Sequence, residues 1–538
     1  MKKKINADIL IFLIVTAIFF LYAAVFIYRT SVVVYGERYF TLFDDAMVSM
    51  RYAKNFVAGN GLVMNQGERV EGFTNPLWVL YMAFIHLLPV AQSKISLIIQ
   101  ITGAALFAGT FYMVMKIARF LSDNSKLVVA GALALTAFYL PLINWNLQGM
   151  EVSLVTLIIT AGIWKAFTCL RESTVSTALY VLLGIGTLVR MDMVVPYLAV
   201  WLFLVMTQPE LRKQNVIRGI VILSLFMVVQ TALRVAYYGE FLPNTYYLKM
   251  TGFPVLIRIA RGVAVYYEFV LGMAVVLFLL PFFVLIFRYN KFSGLCAAVF
   301  GSMSLYSIYV GGDAWELWGG SNRYVACVMP LFFILFAQAL HISVEKVAGR
   351  KTRSGRSARK AGQAGPSVSG YVYSALIALS FLIFNSNTGP MSLSGFFFGT
   401  STANYSGNVQ MLESAKVIRE VTADDARIAV TWAGALPYFS NRYTVDILGK
   451  TDKIIARRKM RPVEANEPHS FFYPGHMKFD YNHSFGPMKP DVIVQFWVNA
   501  DETDPEIAKL YKPASINDWP YYFRTGSNAV LWDKLPRN

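Results

Sequence analysis

Charged residues and cysteine are both scarce in this sequence. Only 15% of its 538 residues are charged, whereas 56% are hydrophobic and the mean hydropathy is +0.47. A water-soluble globular chain has more charge and less apolar sequence, so that class is excluded. The three cysteines, Cys169, Cys296 and Cys327, lie in apolar segments without metal-ligand spacing. Neither a disulfide scaffold nor a zinc site is therefore indicated.

The sequence contains many long apolar runs. The first, residues 9–28, is long enough to cross a bilayer and follows a run of three lysines. It is longer than the apolar part of a signal peptide and has no obvious cleavage site, so we expect a retained anchor. We predict eleven membrane spans in all: residues 9–28, 95–115, 127–142, 152–169, 175–188, 194–206, 216–237, 263–287, 292–310, 324–340 and 371–384.

The distribution of basic residues predicts the topology. One further apolar run, residues 76–90, is short and begins with Pro76. If this run does not cross the bilayer, the loops on the cytoplasmic side contain 20 Lys or Arg and five acidic residues. Because cytoplasmic loops are enriched in positive charge, we predict an amino end inside and a carboxyl end outside. These loops are residues 1–8, 116–126, 165–174, 208–218, 288–291 and 345–361.

The net charge of +17 is thereby explained by topology, and nucleic-acid binding is not expected. The basic loop at residues 345–361 is rich in Gly, Ser and Arg and is predicted to be a disordered linker. The more polar residues 388–538 predict a small α/β domain outside the membrane, following a membrane domain of residues 1–387. Its predicted elements are a helix at 408–421 and strands in RIAVTW, RYTVDIL, DVIVQFW and NAVLW.

Polar motifs gather on the predicted outer side. They include FDDAMVSMRYAKN, RVEGFTNPLW, NWNLQGMEVS, RMDM, YYGEFLPNTYYLK and GGDAWELWGGSNRY. Charge near a bilayer is costly unless it is used, so this clustering indicates a functional site at the outer rim. A transporter would show a similar cluster but also inverted repeats and charges at mid-membrane. No internal repeat is evident, so an enzyme is favoured.

The aspartate pair in FDDAM has two interpretations. Asp44 is a good helix N-cap, with Phe43 and Val48 placed as a hydrophobic staple around it. Asp45 would then be an acid in the first helical turn, where it favours the helix dipole. A cap needs only one aspartate, so one member of the pair is a candidate for chemistry.

Three cations are candidates for an anionic ligand. Arg190 is either paired with Asp192 at a membrane corner or available to a phosphate. An aromatic belt explains Tyr246 and Tyr247 but not Lys249. Arg323 is predicted at a helix start, where a cation opposes the dipole, so an anionic ligand explains it better.

Other candidates for substrate contacts follow from residue type. Trp315 and Trp318 suit stacking on sugar faces, whereas Glu151 is either a first-turn acid or a ligand. The stretch PGHMKFDYNHS concentrates His476, Lys478, Asp480 and His483. Metal ligation by this set is conceivable, but without a CxxC or HExxH pattern we favour hydrogen bonding to a hydroxyl-rich substrate.

Taken in order, these motifs resemble the GT-C superfamily of membrane glycosyltransferases. The resemblance begins with the aspartate pair and MRYAKNFVAGNGLVMNQGERVEGFTNPLW. It continues through QGMEVSL, LVRMDMVVP, YYGEFLPNTYYLK and GGDAWELWGGSNRY, and reaches the tail in AGALPYFSNRYTVDILGKTDKIIA and PGHMKFDYN. More narrowly, the chain resembles the terminal arabinofuranosyltransferases of the mycobacterial cell wall (AftB) and the bacterial pilin arabinosyltransferases. RMDM departs from the pattern, which has a proline between the arginine and the acid.

The resemblance implies a GT-C fold with interfacial helices in the first outer loop, in the bacterial cytoplasmic (inner) membrane. It implies transfer of a sugar, arabinofuranose in the narrower family, from a polyprenyl-phosphate donor to an acceptor hydroxyl outside the membrane. The acceptor would be a glycan end or a surface protein such as pilin. The alternatives are a mannosyl- or other hexosyltransferase with the same donor type, and a transporter or flippase for a lipid-linked sugar. Some members use a divalent cation, but the sequence shows no ligand set for one.

The resemblance also implies roles for individual residues. Asp44 or Asp45 would be the general base of an inverting reaction, with Asp44 preferred. Cations would hold the departing phosphate, namely Arg190, Lys249 and Arg323. The predicted substrate-binding residues are Glu71, Asn75, Glu151, Asp192, Asn244, Tyr246, Tyr247, Asp313, Trp315, Trp318, His476, Lys478 and Asp480.

Overall fold

The computed structural model describes residues 7–349, 368–386, 405–463, 469–498 and 500–536. The predicted domain boundary at 387/388 and most of the basic loop at 345–361 lie outside these residues. In the first two described ranges the helices are α1 (Ala7–Thr30), α2 (Asp44–Val57), α3 (Pro76–His86), α4 (Gln92–Leu121), α5 (Lys126–Ala137), α6 (Leu140–Leu147), α7 (Val152–Glu172), α8 (Thr177–Val189), α9 (Val194–Thr207), α10 (Arg212–Tyr238), α11 (Asn244–Met250), α12 (Val255–Gly272), α13 (Val275–Phe287), α14 (Lys291–Val310), α15 (Arg323–Ala326), α16 (Met329–Val347) and α17 (Val368–Phe384).

All eleven predicted spans coincide with apolar helices, and the chain is a multi-pass helical membrane protein. Within the described residues, six helices are long and apolar enough to cross a membrane: α1, α4, α7, α10, α14 and α16. Two further spans result if α5–α6, bent by 54°, and α12–α13, bent by 94°, each count as one. The other three predicted spans lie on shorter helices of 10–17 residues, α8, α9 and α17, and their crossing stays a prediction.

The loop after α1, which is predicted to lie on the outer side, contains several short elements. The strands β1 (Val32–Val34) and β2 (Glu37–Tyr39) form a hairpin. Its two turn residues, Tyr35 and Gly36, both have positive φ, as a tight hairpin turn of matching twist requires. Helix α3 has 11 residues, well short of the roughly 20 that a span needs. The amphipathic α2 packs on α3 and carries the aspartate pair at its start.

The carboxyl-terminal domain, which is predicted to lie outside the membrane and is called the outer domain below, is built on a five-stranded mixed sheet with the order β4-β3-β5-β7-β6. Strands β4, β3 and β5 are parallel, and β7 and β6 extend the sheet antiparallel. Because β3 lies between β4 and β5, the carboxyl ends of the parallel strands form the kind of edge where ligands bind in open α/β sheets. The elements are α18 (Tyr405–Val421), β3 (Arg427–Val430), α19 (Ala435–Ser440), β4 (Tyr443–Asp446), α20 (Lys453–Ala456), α21 (Tyr481–Phe485), β5 (Val492–Ile493), α22 (Pro505–Ala508), β6 (Tyr511–Ile516) and β7 (Trp519–Arg524).

The predicted elements of this domain are found in part. The helix at 408–421 and three of the four strands are present, but the strand predicted in NAVLW is wrong. There, Val530 makes only an isolated bridge to Thr422. The hairpin β6–β7 takes its place in the sheet, and the sequence analysis missed it. Each of its strands contains a proline, which argues against a strand, but β6 is an edge strand and tolerates one.

The outer domain packs directly on the interfacial helices. From α2, the Nη1 of Arg51 donates to the Oδ1 of Asn441 at 2.5 Å, and Lys54 donates to the backbone oxygen of Tyr438 at 3.2 Å. From α11, the amide of Asn244 donates to the carbonyls of Gly449 and Lys450 at 2.9 and 3.0 Å. These contacts hold the outer domain against α2 and α11, and the pair of Asp45 with Lys450 brings the carboxyl edge of the sheet to the start of α2.

Candidate active site

The aspartate pair lies where α2 meets the outer domain. Helix α2 begins at Asp44, its N-cap residue is Phe43, and no side chain caps it. Of the two interpretations of Asp44, the helix cap is therefore excluded. Its Oδ1 instead accepts a hydrogen bond at 3.0 Å from the backbone N–H of Ala435, the first residue of α19. The carboxylate of Asp44 thus faces the outer domain rather than its own helix.

Asp45 lies at the centre of a chain of alternating charges. One of its oxygens is paired with the Nζ of Lys450, and the other accepts from the Nη1 of Arg323 at 2.9 Å. The Nη2 of Arg323 in turn donates to the Oδ1 of Asp313 at 2.8 Å. Arg323 and Asp313 are both buried, so these charges are weakly screened and hold one another in place.

Two adjoining cavities meet at Asp45. The larger has a volume of about 460 Å³ and lies between the outer ends of the helices and the outer domain. The smaller, of about 50 Å³, lies under the carboxyl edge of the sheet. Both are lined by Asp45, Lys249, Arg323 and Lys450, whereas Asp44 lines only the smaller one. A molecule that extends from one cavity to the other would therefore pass the aspartate pair.

Cations outnumber acids in the larger cavity. Its charged lining consists of Arg190, Lys249, Arg323 and Lys450 against Asp45, Glu151 and Asp192. Within the described part of the chain, the Nη1 of Arg190 is buried without a hydrogen-bond partner, and Lys249 is a half-buried cation in the same lining. Unpaired donors in a partly dry site favour an anion.

Several predicted substrate-binding residues do line the larger cavity. Asn75 lies at the start of α3, where its Nδ2 donates to the Oε2 of Glu151 at 2.9 Å and its Oδ1 accepts from Ser49 at 3.1 Å. Asp192 holds the guanidinium of Arg190 through two hydrogen bonds, one of them at 2.8 Å. Tyr246 contributes an exposed ring to the same wall.

The smaller cavity contains two more of the predicted residues. Trp315 and His476 line it, with their rings edge to face at 6.1 Å. His476 is stacked on Tyr473 at 4.3 Å, and its Nδ1 lies 3.0 Å from the carbonyl oxygen of Pro474. Burial lowers the pKa of His476 to about 4, so this ring is neutral near pH 7.

Four predicted residues lie outside both linings and make structural contacts. Glu71 forms a buried ion pair with Arg234 at 2.5 Å. Lys478 is fully buried, and its Nζ donates to three oxygens, including the carbonyls of Tyr247 and Ala456 at 2.8 Å. Asp480 caps α21 by accepting from the N–H of His483. Trp318 packs on Phe43, Trp145 and Trp315.

Three further predicted residues position neighbouring groups of the site without lining a cavity. Asn244 holds the backbone of the loop that contains Lys450. The ring of Tyr247 lies under the guanidinium of Arg457 at 4.0 Å. Asp313 orients Arg323 and also accepts from the N–H of Ala314 at 2.8 Å. Their contacts position other residues rather than line a cavity.

Lys450 and Trp432 line the site, and no role was predicted for either from the sequence. Lys450 follows β4 and Trp432 follows β3, both at the carboxyl edge of the sheet. Asp446, at the end of β4, accepts from the backbone N–H groups of Leu448, Gly449 and Thr451 and so shapes the loop that carries Lys450. The signal was a glycine and a lysine directly after a predicted strand.

The two aspartates have opposite pKa shifts. Burial raises the pKa of Asp44 to about 6. Burial also acts on Asp45, but the cations Lys450, Arg323 and Lys249 outweigh it and hold the pKa of Asp45 well below its ordinary value. Burial and the neighbouring Arg323 lower the pKa of Lys249 to about 8. Two adjacent carboxyl groups with separated pKa values are typical of an acid–base site.

Metal ligation was an open alternative for the tail residues. Among the described residues there is no group of three or more His, Cys, Asp or Glu side chains placed to hold a metal ion. Asp480 binds Arg458 at 2.7 Å, and His483 lies 3.0 Å from Asp452. The residues present do not form a ligand set.

Comparisons with known proteins give a domain match and similar folds. A model of a domain of unknown function (DUF8728) matches residues 402–531. No curated protein matches the sequence. ArnT from Cupriavidus metallidurans is similar in its apo state (13% identity, 80% of this chain and 84% of that chain, TM-score 0.48). The same protein bound to undecaprenyl phosphate is also similar, at 12% identity over 96% of this chain and 98% of that chain, with a TM-score of 0.49. An Archaeoglobus fulgidus oligosaccharyltransferase in complex with Zn and sulfate is similar at 12% identity, over 93% of this chain and 71% of that chain, with a TM-score of 0.49. At these identities the likeness concerns the fold alone.

Proposed function

We propose that this protein is a membrane glycosyltransferase of the GT-C type. It would transfer a sugar from a polyprenyl-phosphate donor to an acceptor hydroxyl on the outer side of the membrane. The observation that carries the proposal is the larger cavity, where cations with unpaired donors face a partly buried aspartate. Cations next to a carboxylate suit a ligand that consists of a lipid phosphate and a reacting sugar.

The donor phosphate would bind among Lys249, Arg190 and Arg323. Among the described residues, the buried Nη1 of Arg190 has no hydrogen-bond partner, and Lys249 lines both cavities. Apolar side chains complete the same cavity, including Val194, Val195 and Val310. Charged donors with an apolar wall beside them match a phosphate attached to a hydrocarbon chain.

The chemistry needs one base and a stabilised leaving group. The acceptor oxygen attacks the anomeric carbon while its proton passes to Asp44, and the bond from that carbon to the phosphate oxygen breaks. The electron pair leaves with the polyprenyl phosphate, whose charge is balanced by Lys249, Arg323 and Lys450. Attack opposite the phosphate inverts the anomeric centre. Asp45 keeps Arg323 and Lys450 aligned and remains ionised.

Asp44 is the better candidate for the base because of its environment. A base works best when its pKa lies near the working pH, and burial raises the pKa of Asp44 to about 6. Asp45 is held by a cation on each oxygen and is therefore a weaker proton acceptor. Asp44 also lines the smaller cavity, where the acceptor hydroxyl would arrive past Trp315 and His476.

The resemblance described above favours arabinofuranose as the sugar, and a glycan end or a surface protein as the acceptor. A hexosyl donor on the same lipid phosphate would meet the same cations. Screening purified enzyme with polyprenyl-phosphate donors that differ only in the sugar separates the two. Transfer of a hexose without transfer of arabinose would overturn the arabinosyl assignment and leave the reaction class intact.

The test of the reaction is transfer by the purified protein in nanodiscs, with a polyprenyl-phosphoarabinose donor and a short arabinoside acceptor. We expect Asp44→Asn to lower kcat by about a hundredfold to ten-thousandfold, because an amide accepts no proton. Asp480→Asn is the matched control, since Asp480 lies outside both cavities and asparagine still caps a helix. Asp44→Asn with wild-type activity would remove Asp44 as the base. Loss in Asp45→Asn alone would transfer that role to Asp45.

A further inference from the structure

A third cavity lies in the outer domain, away from the membrane. It has a volume of about 480 Å³ and opens between α18 and the hairpin β6–β7; we call it the outer groove. Its lining includes two tryptophans, a tyrosine, two amides and a carboxylate: Trp432, Trp519, Tyr521, Gln410, Asn517 and Glu413. The reaction described above uses none of these residues.

The outer groove is joined to the smaller cavity by Trp432. This half-buried side chain lines both, and it follows β3 at the carboxyl edge of the sheet. Its backbone N–H donates to the Oε1 of Gln495 at 3.2 Å. Gly407 of α18 lies so close to the ring that an added Cβ would be 2.9 Å from Trp432 Cζ3. The ring therefore lies between the two cavities and forms part of the wall of each.

The composition of the outer groove indicates its ligand. Flat aromatic faces accept the apolar faces of sugar rings, while amide and carboxylate groups hydrogen-bond to hydroxyls. Among the described residues, the only charged group that lines the groove is the exposed carboxylate of Glu413, which opposes a polyanion or a lipid phosphate. The groove therefore suits a neutral, hydroxyl-rich chain.

We propose that the outer groove binds the acceptor as an extended neutral glycan, whose terminal sugar crosses Trp432 to reach the aspartates. The groove then selects for acceptor length, and the natural acceptor is a glycan end rather than the side chain of a surface protein. This inference rests on the proposed function, because it assigns the acceptor of that reaction.

The test compares a monosaccharide acceptor with a linear neutral oligosaccharide long enough to cross Trp432, both arabinofuranosides. In wild type we expect a lower KM for the oligosaccharide than for the monosaccharide. Trp519→Ala and Glu413→Gln should each raise the ratio of the oligosaccharide KM to the monosaccharide KM. For Trp519→Ala we expect an increase of about tenfold. Glu413→Gln guards against misfolding, since Glu413 is exposed, whereas the Nε1 of Trp519 also donates to the carbonyl of Val494. Trp532→Ala, which changes a tryptophan of the same domain outside the groove, should leave the ratio unchanged.

A second arm separates this proposal from the reaction itself. Binding of the oligosaccharide to the full-length protein is measured by calorimetry without any donor. Loss of binding in Trp519→Ala supports the groove even if no sugar is transferred, an outcome that would overturn only the proposed function. Equal KM values for both acceptors in wild type, or ratios that the groove variants leave unchanged, would overturn the groove. So would efficient transfer to a hydroxyl-bearing surface-protein peptide that the groove variants do not affect.

Discussion

Two adjacent aspartates differ at the residue scale because of what each faces. Asp44 is half-buried and faces backbone N–H groups at the start of α19, whereas Asp45 is held between two cations. Identical side chains one position apart therefore have pKa values shifted in opposite directions. This separation allows one carboxylate to accept a proton while the other stays ionised and orders its neighbours.

The pH dependence of transfer should follow Asp44. Below its pKa of about 6 the carboxyl is protonated and accepts no proton, so kcat/KM should fall as the pH drops through this value. Lys450 lowers the pKa of Asp44, so Lys450→Met should move the acid limb to higher pH. Lys453→Met, three residues along, is the control. An acid limb that stays in place in Lys450→Met would contradict the assignment of Asp44.

Two half-buried or buried lysines should behave differently when their charge is removed. Lys249 has no ion-pair partner among the described residues and faces both cavities, so Lys249→Met should raise the donor KM by about tenfold without lowering Tm. Lys478→Met removes three hydrogen bonds from a fully buried site and should lower stability by about 1–3 kcal/mol. Thermal unfolding and donor saturation curves check both. A large loss of Tm in Lys249→Met would assign it a structural role instead.

At the scale of elements, the close approach of α19 to α2 sets the position of Asp44. An added Cβ on Gly434 would lie 2.2 Å from the backbone oxygen of Asp44 and 2.4 Å from its Oδ1. The backbone oxygen cannot move without shifting α2, because it is part of the helix.

Gly434→Ala should therefore separate α19 from α2, cost about 1–3 kcal/mol, and lower kcat by at least about tenfold. Gly301→Ala is the matched control, because Gly301 lies within α14 with open space around it. Alanine there should be neutral or slightly stabilising. Transfer assays and Tm values for both variants check this. Wild-type activity in Gly434→Ala would show that the contact is not needed.

At the scale of the whole molecule, the topology can be tested by labelling cysteines. The three native cysteines are buried, so wild type should give no background. Glu506→Cys, at an exposed position on α22, should react with a membrane-impermeant maleimide in intact cells, because the outer domain is predicted outside. Lys213→Cys, in the predicted cytoplasmic loop 208–218, should react only after permeabilisation. The reverse pattern would contradict the positive-inside assignment.

Much of the architecture was decided by the sequence itself. Apolar runs make helices wherever they lie in a membrane protein, since backbone groups must be paired within the segment, and all eleven runs are helical. The helix α18 and the strands β3, β4 and β5 also follow from local pattern. A charge at a membrane rim is costly, and this identified five candidate site residues from the sequence: the aspartate pair, Arg190, Lys249 and Arg323.

The tertiary structure decided what these residues do. Lys450 is paired with Asp45 although 405 positions separate them, and no local pattern encodes a contact that depends on how the outer domain packs on α2 and α11. Because of the same packing, the carboxylate of Asp44 faces α19 and does not cap α2. The same packing directs Lys478 to neighbouring carbonyl oxygens. Asp480 caps α21, although both residues resemble substrate ligands in the sequence. Local chemistry selected the candidates, and long-range packing determined which of them face a cavity.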